Sequence, residues 1–441
     1  MSFSMNTTTY RAIWRWHFHA GLFCIPFIVL LAITGSIYLF KPQIDALSDR
    51  DVDGLRLSGI AAPPSAQVAA ALAAAPGSRF VTYELPRRPA DAVRVHLSAT
   101  DGARVTAYIH PVSPRALKIV RDESRLTEFV KSIHGELLIG TTGSILVELA
   151  ACWALVMVVT GLYLWWPRNA QGLAGVLYPR LRSGKATFWR DLHAVTGMWV
   201  SSLALFLLLT ALPWTTVWGG AFKGLRSMAS PVEVKQDWKA GRTSGGAPDE
   251  HSGHRVSAGS APMAGTPPFS LDDVVPKVAA LQLAPPVLIG PPTMREHVWS
   301  VRSDSQNRSL RREMAIDAHT GAIVRDTSFA DRKTVDRVIG IGISAHEGQL
   351  FGLANQLLGL TAALGLITLC VSAVVMWWRR RPEGALGIPA RKVDGFKIER
   401  ALATLIVLLA VLLPVFGASL LVVAAIDRWV IGRPPTMGAV R

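Results

Sequence analysis

Trp14-Arg15-Trp16-His17-Phe18-His19-Ala20-Gly21 opens an apolar run with no charged residue as far as Phe40. Later in the chain, Trp189-Arg190-Asp191-Leu192-His193 opens a second such run, again with a glycine four places after the histidine, at Gly197. Each run meets the roughly 20 residues needed to cross a ~30 Å hydrocarbon core. Working outward, five stretches approach or exceed that length: His17–Phe40, Ile145–Trp166, Leu192–Trp218, Asn355–Trp378 and Ala401–Ile426. One apolar stretch can be a buried helix of a soluble core, but five point to an α-helical integral membrane protein of about five transmembrane helices. The first is expected to be an uncleaved anchor, because its apolar part is too long for a signal peptide and Lys41-Pro42 follows it.

The net charge of +15 could suggest nucleic acid, but its placement points to a bilayer, and no nucleic-acid partner is expected. Arg11 and Arg15 precede the first span. Arg168, Arg180, Arg182, Lys185 and Arg190 lie between the second and third, and Arg379, Arg380, Arg381, Arg391, Lys392, Lys397 and Arg400 lie between the fourth and fifth. Basic clusters on alternate short loops mark the cytoplasmic side. The expected arrangement is therefore multi-pass, with the N-terminus in the cytoplasm, both long loops outside, and the C-terminus outside after five crossings. The three cysteines, Cys24, Cys152 and Cys370, each fall in a different span, so no disulfide is expected in the loops. No Cys-x-x-Cys-His occurs, which excludes covalent c-type haem, and cysteine-ligated iron–sulfur clusters do not suit this pattern.

The chain reads as one unit written twice. His134-Gly135-Glu136 leads to Trp165-Trp166 and Arg168, as His346-Glu347-Gly348 leads to Trp377-Trp378 and Arg379. Each long loop reads as one small α/β unit. In the first, helix 65–75 precedes strands over 79–85, 92–97 and 104–109. In the second, helix 270–283 precedes strands over 298–302, 312–316 and 322–325, with Asp317-Ala-His-Thr-Gly321 as a hairpin turn. The divisions are 1–40, N-terminus and first span; 41–133, first loop unit; 134–168, second span; 169–190, cytoplasmic loop; and 191–218, third span. They continue with 219–345, second loop unit with a flexible Gly/Ser/Pro-rich linker at 241–268; 346–379, fourth span; 380–400, cytoplasmic loop; and 401–441, fifth span and tail. His251 and His254 in that linker read as exposed linker histidines rather than a metal pair.

Four histidines stand at the starts of the first four spans. Topology sorts them into an inner pair, His17 and His193, and an outer pair, His134 and His346. Opposed imidazoles from two helices at one depth are what a bis-histidine b-type haem requires, whereas zinc or copper usually takes three or four ligands. Two such pairs imply two haems b. His17 competes with His19, which points about 200° away around the helix. The His17 face carries Gly21, Cys24, Ile28 and Gly35, which leave room for a flat macrocycle; the His19 face carries Phe23, Pro26, Leu30 and Ile33, a lipid-facing set. His17 is the expected ligand, and Gly197 repeats the clearance beside His193. From His134 to Trp166 is 33 residues, or ~50 Å if wholly helical, so His134 should stand near or above the outer interface unless Gly140–Gly143 breaks the helix. Glu148, the one acid inside the second span, reads either as a proton or quinol contact or as a packing residue.

With Thr34-Gly-Ser-Ile-Tyr-Leu-Phe-Lys-Pro42, Gly161-Leu-Tyr-Leu-Trp-Trp-Pro-Arg168 and Ala345-His-Glu-Gly-Gln349, these strings resemble the PepSY-associated transmembrane family over most of the chain. The loop units resemble PepSY modules. The family includes bacterial inner-membrane ferric-siderophore reductases with b haems, so the resemblance implies His17, His193, His134 and His346 as axial iron ligands. It also implies a ferric siderophore or other ferric chelate in the periplasm as electron acceptor. No Gly-x-Gly-x-x-Gly occurs on the cytoplasmic loops, which points to membrane quinol or a separate donor. No catalytic acid–base set stands out. The other reading is a non-enzymatic PepSY membrane protein that binds or regulates a periplasmic partner such as a protease or sensor; it leaves the paired histidines without a role.

Overall fold

The computed structural model describes residues 7–167, 172–229, 267–294, 296–382, 400–426 and 428–429. Arg168, Arg391, Lys392, Lys397 and almost all of the 241–268 linker, with His251 and His254, lie outside the described residues. In chain order, α1 (Thr7–Leu39) and α2 (Lys41–Ser48) lead to α3 (Pro64–Ala74) and strands β1 (Arg79–Glu84), β2 (Val93–Ser98), β3 (Arg104–Ile109) and β4 (Ala116–Arg121). Then come α4 (Leu126–Glu136), α5 (Gly140–Trp165), α6 (Lys185–Ala211), α7 (Val217–Ala229) and α8 (Leu271–Ala280). Strands β5 (Val287–Gly290), β6 (Val298–Ser303), β7 (Arg312–Asp317) and β8 (Ile323–Ser328) follow. The last described elements are α9 (Thr334–His346), α10 (Leu353–Arg380), α11 (Arg400–Leu412) and α12 (Pro414–Ile426).

Among the described residues four helices are long and apolar enough to cross a membrane: α1, α5, the α6 segment and α10. In the bundle α1 packs on α5 and α10, and α6 packs on the same two helices. The fifth apolar stretch is not one straight crossing. Its two helices are bent by 120° at Leu413, because Pro414 has no N–H to continue the ladder of α11. The counting argument that put the C-terminus outside depended on a straight fifth span and does not carry over a bend of this size. Gly417 allows the tight return: a Cβ there would lie 2.6 Å from the Ala410 carbonyl oxygen. The bent pair packs through Leu413 and Phe416 onto Cys152 and Leu155 of α5, and Trp153 Nε1 donates to Ser419 Oγ at 3.2 Å.

The long helices expected from His134 and His346 are both broken. Between α4 and α5 the chain turns through Leu137 and Leu138, both at positive φ, and Gly140. The first turn of α5 then backs onto the end of α4 so closely that a Cβ on Gly143 would lie 1.7 Å from the Glu136 carbonyl oxygen. Glycine is therefore required there. Between α9 and α10 the turn uses Gly348 and Gly352, both at positive φ, and Asn355 ties it by donating to Ala345 O at 2.8 Å and accepting from Leu350 N at 3.2 Å. His134 and His346 thus sit on short helices set against the bundle, α4 on α1 and α5, and α9 on α6.

The two long loops do not form two separate units. Their strands make one eight-stranded antiparallel sheet, ordered β4-β3-β2-β1-β5-β6-β7-β8. The halves join where Tyr83 pairs with Ile289 and Glu84 with Leu288. Strands β4 and β5 were not anticipated, and β5 is the one that makes the join. One core runs through both halves: Val93, Val95 and Leu97 alternate inward along β2 and share it with Ile289, Val301 and Ile316. Helices α3 and α8 cover that face, and Asp272 accepts from both the backbone and hydroxyl of Ser65 across the join, at 2.7 and 2.6 Å. The Asp317–Gly321 turn forms as expected, with Asp317 accepting from the backbone of His319 and Thr320 and Gly321 at φ +70°. On the opposite face Glu84 bonds His96 at 3.0 Å. Burial opposes ionisation of Glu84, but the bond to His96 and the nearby charges of His96 and Arg94 outweigh it, and its pKa lies below the usual carboxylate value.

Candidate functional site

The four long helices and the helices α4 and α9 enclose one cavity of about 1560 Å³. That exceeds the roughly 300–1,000 Å³ of a typical small-molecule site. His17, His193, His134 and His346 all line it. His17 and His193 lie at the end away from the sheet, beside Trp14 and Trp377; His134 and His346 lie at the sheet end, beside Trp214 and Lys131. Gly21, Ile28, Gly35 and Gly197 line it as the face argument requires, and Pro26, read as lipid-facing, lines it too. Cys24 does not; it is fully buried in helix packing against Ala150. His19 is exposed, with Nδ1 bonded to the carbonyl of Arg15 at 2.8 Å in its own helix.

Each of the four imidazoles is held in the same way. Nδ1 of His17 lies 2.9 Å from Thr160 Oγ1, Nδ1 of His134 2.9 Å from Thr34 Oγ1, and Nδ1 of His346 3.0 Å from Thr210 Oγ1. Nδ1 of His193 lies 3.1 Å from both Ser372 Oγ and the Leu369 carbonyl oxygen. Each hydroxyl donates its own proton back to the carbonyl four residues earlier: Thr34 to Leu30, Thr160 to Val156, Thr210 to Phe206 and Ser372 to Thr368, at 2.7–2.8 Å. A hydroxyl has one proton to give, and with that proton on its own helix carbonyl the partner imidazole donates through Nδ1–H. The Leu369 carbonyl, which can only accept, fixes this independently for His193. His193 is thereby an Nδ1–H donor with its lone pair on Nε2, and the hydroxyl contacts of the other three accommodate the same tautomer, the arrangement in which a hydrogen bond behind a histidine orients it as a metal ligand.

The hydroxyl residues were not anticipated as functional. Their signal is in the repeat: Thr34 lies 17 residues after His17 and Thr210 lies 17 after His193, while Thr160 and Ser372 each lie 26 after His134 and His346. Each is followed by a small residue, Gly35, Gly161, Ala211 or Ala373. The glycines stand against the rings. A Cβ on Gly35 would come within 3.2 Å of His134 Cε1, and one on Gly161 within 3.2 Å of His17 Cε1.

The His17 and His193 ring centroids are 6.5 Å apart, with planes at 85°. Two imidazoles on opposite sides of one metal, each bonded at about 2 Å, would have centroids about 6 Å apart. That separation would let the two imidazoles hold one metal between them. Among the described residues no group of three or more His, Cys, Asp or Glu side chains converges. Glu148 takes no part in the cavity. Its carboxylate accepts from the backbone N–H groups of Val217 and Trp218, both at 2.8 Å, and so caps the N-terminus of α7. This decides between its two readings in favour of packing.

Residues 14–380 match the family described as PepSY-associated TM region. The chain belongs to that family. The match takes in all four histidines and all four hydroxyl partners, and it runs through the sheet. Comparison with curated proteins gives no match.

Proposed function

We propose that this member of the family is a bis-histidine di-haem b protein that passes electrons across the bacterial inner membrane. His17 with His193, and His134 with His346, would be the axial pairs. The observation that carries the reading is the fourfold repetition of one arrangement: an imidazole at the wall of a common apolar cavity, its Nδ1–H tied to a hydroxyl of a neighbouring helix. Helix packing alone gives no reason to repeat that bond at four places. Bound b haem would supply one-electron ferric/ferrous chemistry between a membrane quinol or separate donor at the basic end and a ferric siderophore at the sheet end.

The chain's own contributions follow from the site. Thr34, Thr160, Thr210 and Ser372 orient the four imidazoles. The apolar helices exclude water, and Gly35 and Gly161 leave space against the rings. In this proposal the basic loops and the N-terminus face the cytoplasm, by the excess of Lys and Arg on short cytoplasmic loops, and the sheet faces the periplasm, over the end of the cavity where the acceptor would arrive.

The test is the visible spectrum of detergent-purified full-length protein, oxidised and dithionite-reduced, with haem counted as the pyridine haemochromogen. Two b haems per chain are expected, with one lost in His17→Ala and one in His134→Ala. A ferric siderophore added to the reduced protein should reoxidise it. A colourless protein from cells supplied with haem precursor would overturn the proposal and favour a PepSY protein that binds a periplasmic partner.

A further inference from the structure

The end of the cavity away from the sheet carries more cations than its acids can balance. Arg11, Arg180, Arg190 and Arg380 line it there, with Asp191 as the one acid lining that end among the described residues. Asp191 is already committed. Arg180 binds it through Nε and Nη2 at 2.7 and 2.9 Å, and Arg190 shares Oδ1 at 2.9 Å. Among the described residues neither Arg11 nor Arg380 has a carboxylate partner. Arg15, four residues after Arg11, adds a further cation whose Nε and Nη1 are shut off from solvent and have no hydrogen-bond partner. At the sheet end the balance differs: Lys131 is paired with Glu128 at 3.0 Å and Glu347 also lines the wall.

Arginines that serve only to orient spans need no cavity; positions on the loops suffice. Here Arg11 precedes His17 on α1, Arg190 precedes His193 on α6, and Arg380 ends α10 on the wall formed by Leu369, Ala373 and Trp377. Three helices thus bring guanidinium groups to one rim around the His17–His193 pair. Guanidinium is the side chain best suited to bidentate carboxylate recognition.

We infer that Arg11, Arg190 and Arg380 form a carboxylate-binding rim that holds the two propionate groups of the tetrapyrrole ligated by His17 and His193. The inference rests on the haem reading above and deepens it. It makes the site away from the sheet selective for a dianionic macrocycle, fixing the ring's edge toward the basic face while the histidines fix its centre.

The experiment reconstitutes full-length apoprotein in nanodiscs of neutral lipid with haem or with haem dimethyl ester, whose propionates cannot ionise. The site is isolated by using His134→Ala as the parent, so that the His17–His193 pair is read alone. The parent should bind haem at least about tenfold more tightly than the ester, the worth of one hydrogen bond to a charged group. In the added triple variant Arg11→Gln, Arg190→Gln, Arg380→Gln the preference should vanish, with haem binding only as well as the ester does in the parent. The matching Arg→Lys triple, which keeps the charge, should restore part of it and shows that lost folding is not the cause. Equal binding of both porphyrins by the parent, each with a bis-histidine spectrum, would overturn the rim while leaving the haem reading intact. Binding of neither would overturn both. A preference that disappears only in anionic-lipid nanodiscs would assign the rim to lipid phosphate and likewise overturn the inference.

Discussion

The two halves of the bundle agree where the histidines are held and differ in what surrounds them. α1 and α6 each present a histidine at one end and a threonine 17 residues later that holds the histidine of α4 or α9. α5 and α10 return the favour for His17 and His193 through Thr160 and Ser372. Around this shared frame the halves diverge. The small residue after each hydroxyl is glycine in the first half and alanine in the second, and Arg15 in the first stands where the second has Asp191. The two halves thus share the way the histidines are held and differ in the small residues and charges beside them.

The comparison is broken most directly at the ligands. If the chain holds two haems as proposed, His193→Ala and His346→Ala should each remove one, as should His17→Ala and His134→Ala, by haemochromogen count. A variant in one half that keeps both haems would show that the repeat is structural there. Next come the hydroxyls. Thr34→Val and Thr210→Val keep the side-chain shape but leave Nδ1–H without its acceptor, and should weaken haem retention by about 10–100-fold. An effect in only one half would show that the second imidazole is oriented by something else.

Glu148 sharpens the contrast, since the corresponding place in α10 is Leu360. Glu148→Gln keeps the size but can accept poorly from two backbone N–H groups at once. The loss should be roughly 1.5–3 kcal/mol, read as a lower thermal midpoint of the purified protein with haem content unchanged. The small residues give a milder test. Gly35→Ala and Gly161→Ala should cost about 1–3 kcal/mol by overpacking against the imidazoles and shift the haem absorption bands. Ala211→Gly and Ala373→Gly should leave the bands in place.

The smallest effect is expected in the sheet. Glu84, in the first half, has a pKa below the usual carboxylate value, so its ionised pairing with His96 and Arg94 stabilises the fold. That contribution is fully present above about pH 4.3, the unfolded value, and is lost as pH falls through the lower folded value. Glu84→Gln should therefore be less stable than the parent at pH 7, with the gap closing below pH 4 in circular-dichroism melts. A gap that widens on acidification would refute the pairing.

Much of the site was legible in the sequence because its determinants are local. His17, His193, His134 and His346 declared themselves by recurring at the starts of apolar runs, and the 200° between His17 and His19 follows from helix geometry alone. Thr34, Thr160, Thr210 and Ser372 were written at equally regular spacings. They went unnoticed because threonine and serine inside a span satisfy themselves on their own helix carbonyls, and only a partner on another helix gives them a further role. Strand β5 escaped because four residues after a proline pair carry too short an alternation to read.

What the sequence determined by itself was the set of apolar spans, the doubled unit and the candidate ligands. These depend on hydrophobic length and helical period, which neighbouring residues settle among themselves. What only the tertiary structure decided was everything that depends on contact between distant segments. The loops became one sheet because β1 and β5 each needed an edge partner for their backbone groups. The fifth stretch folded back at Pro414, and Glu148 became a cap because α7 lay within reach. Likewise His17 and His193 came to stand 6.5 Å apart, a separation set by the packing of α1 and α6 around α5 and α10.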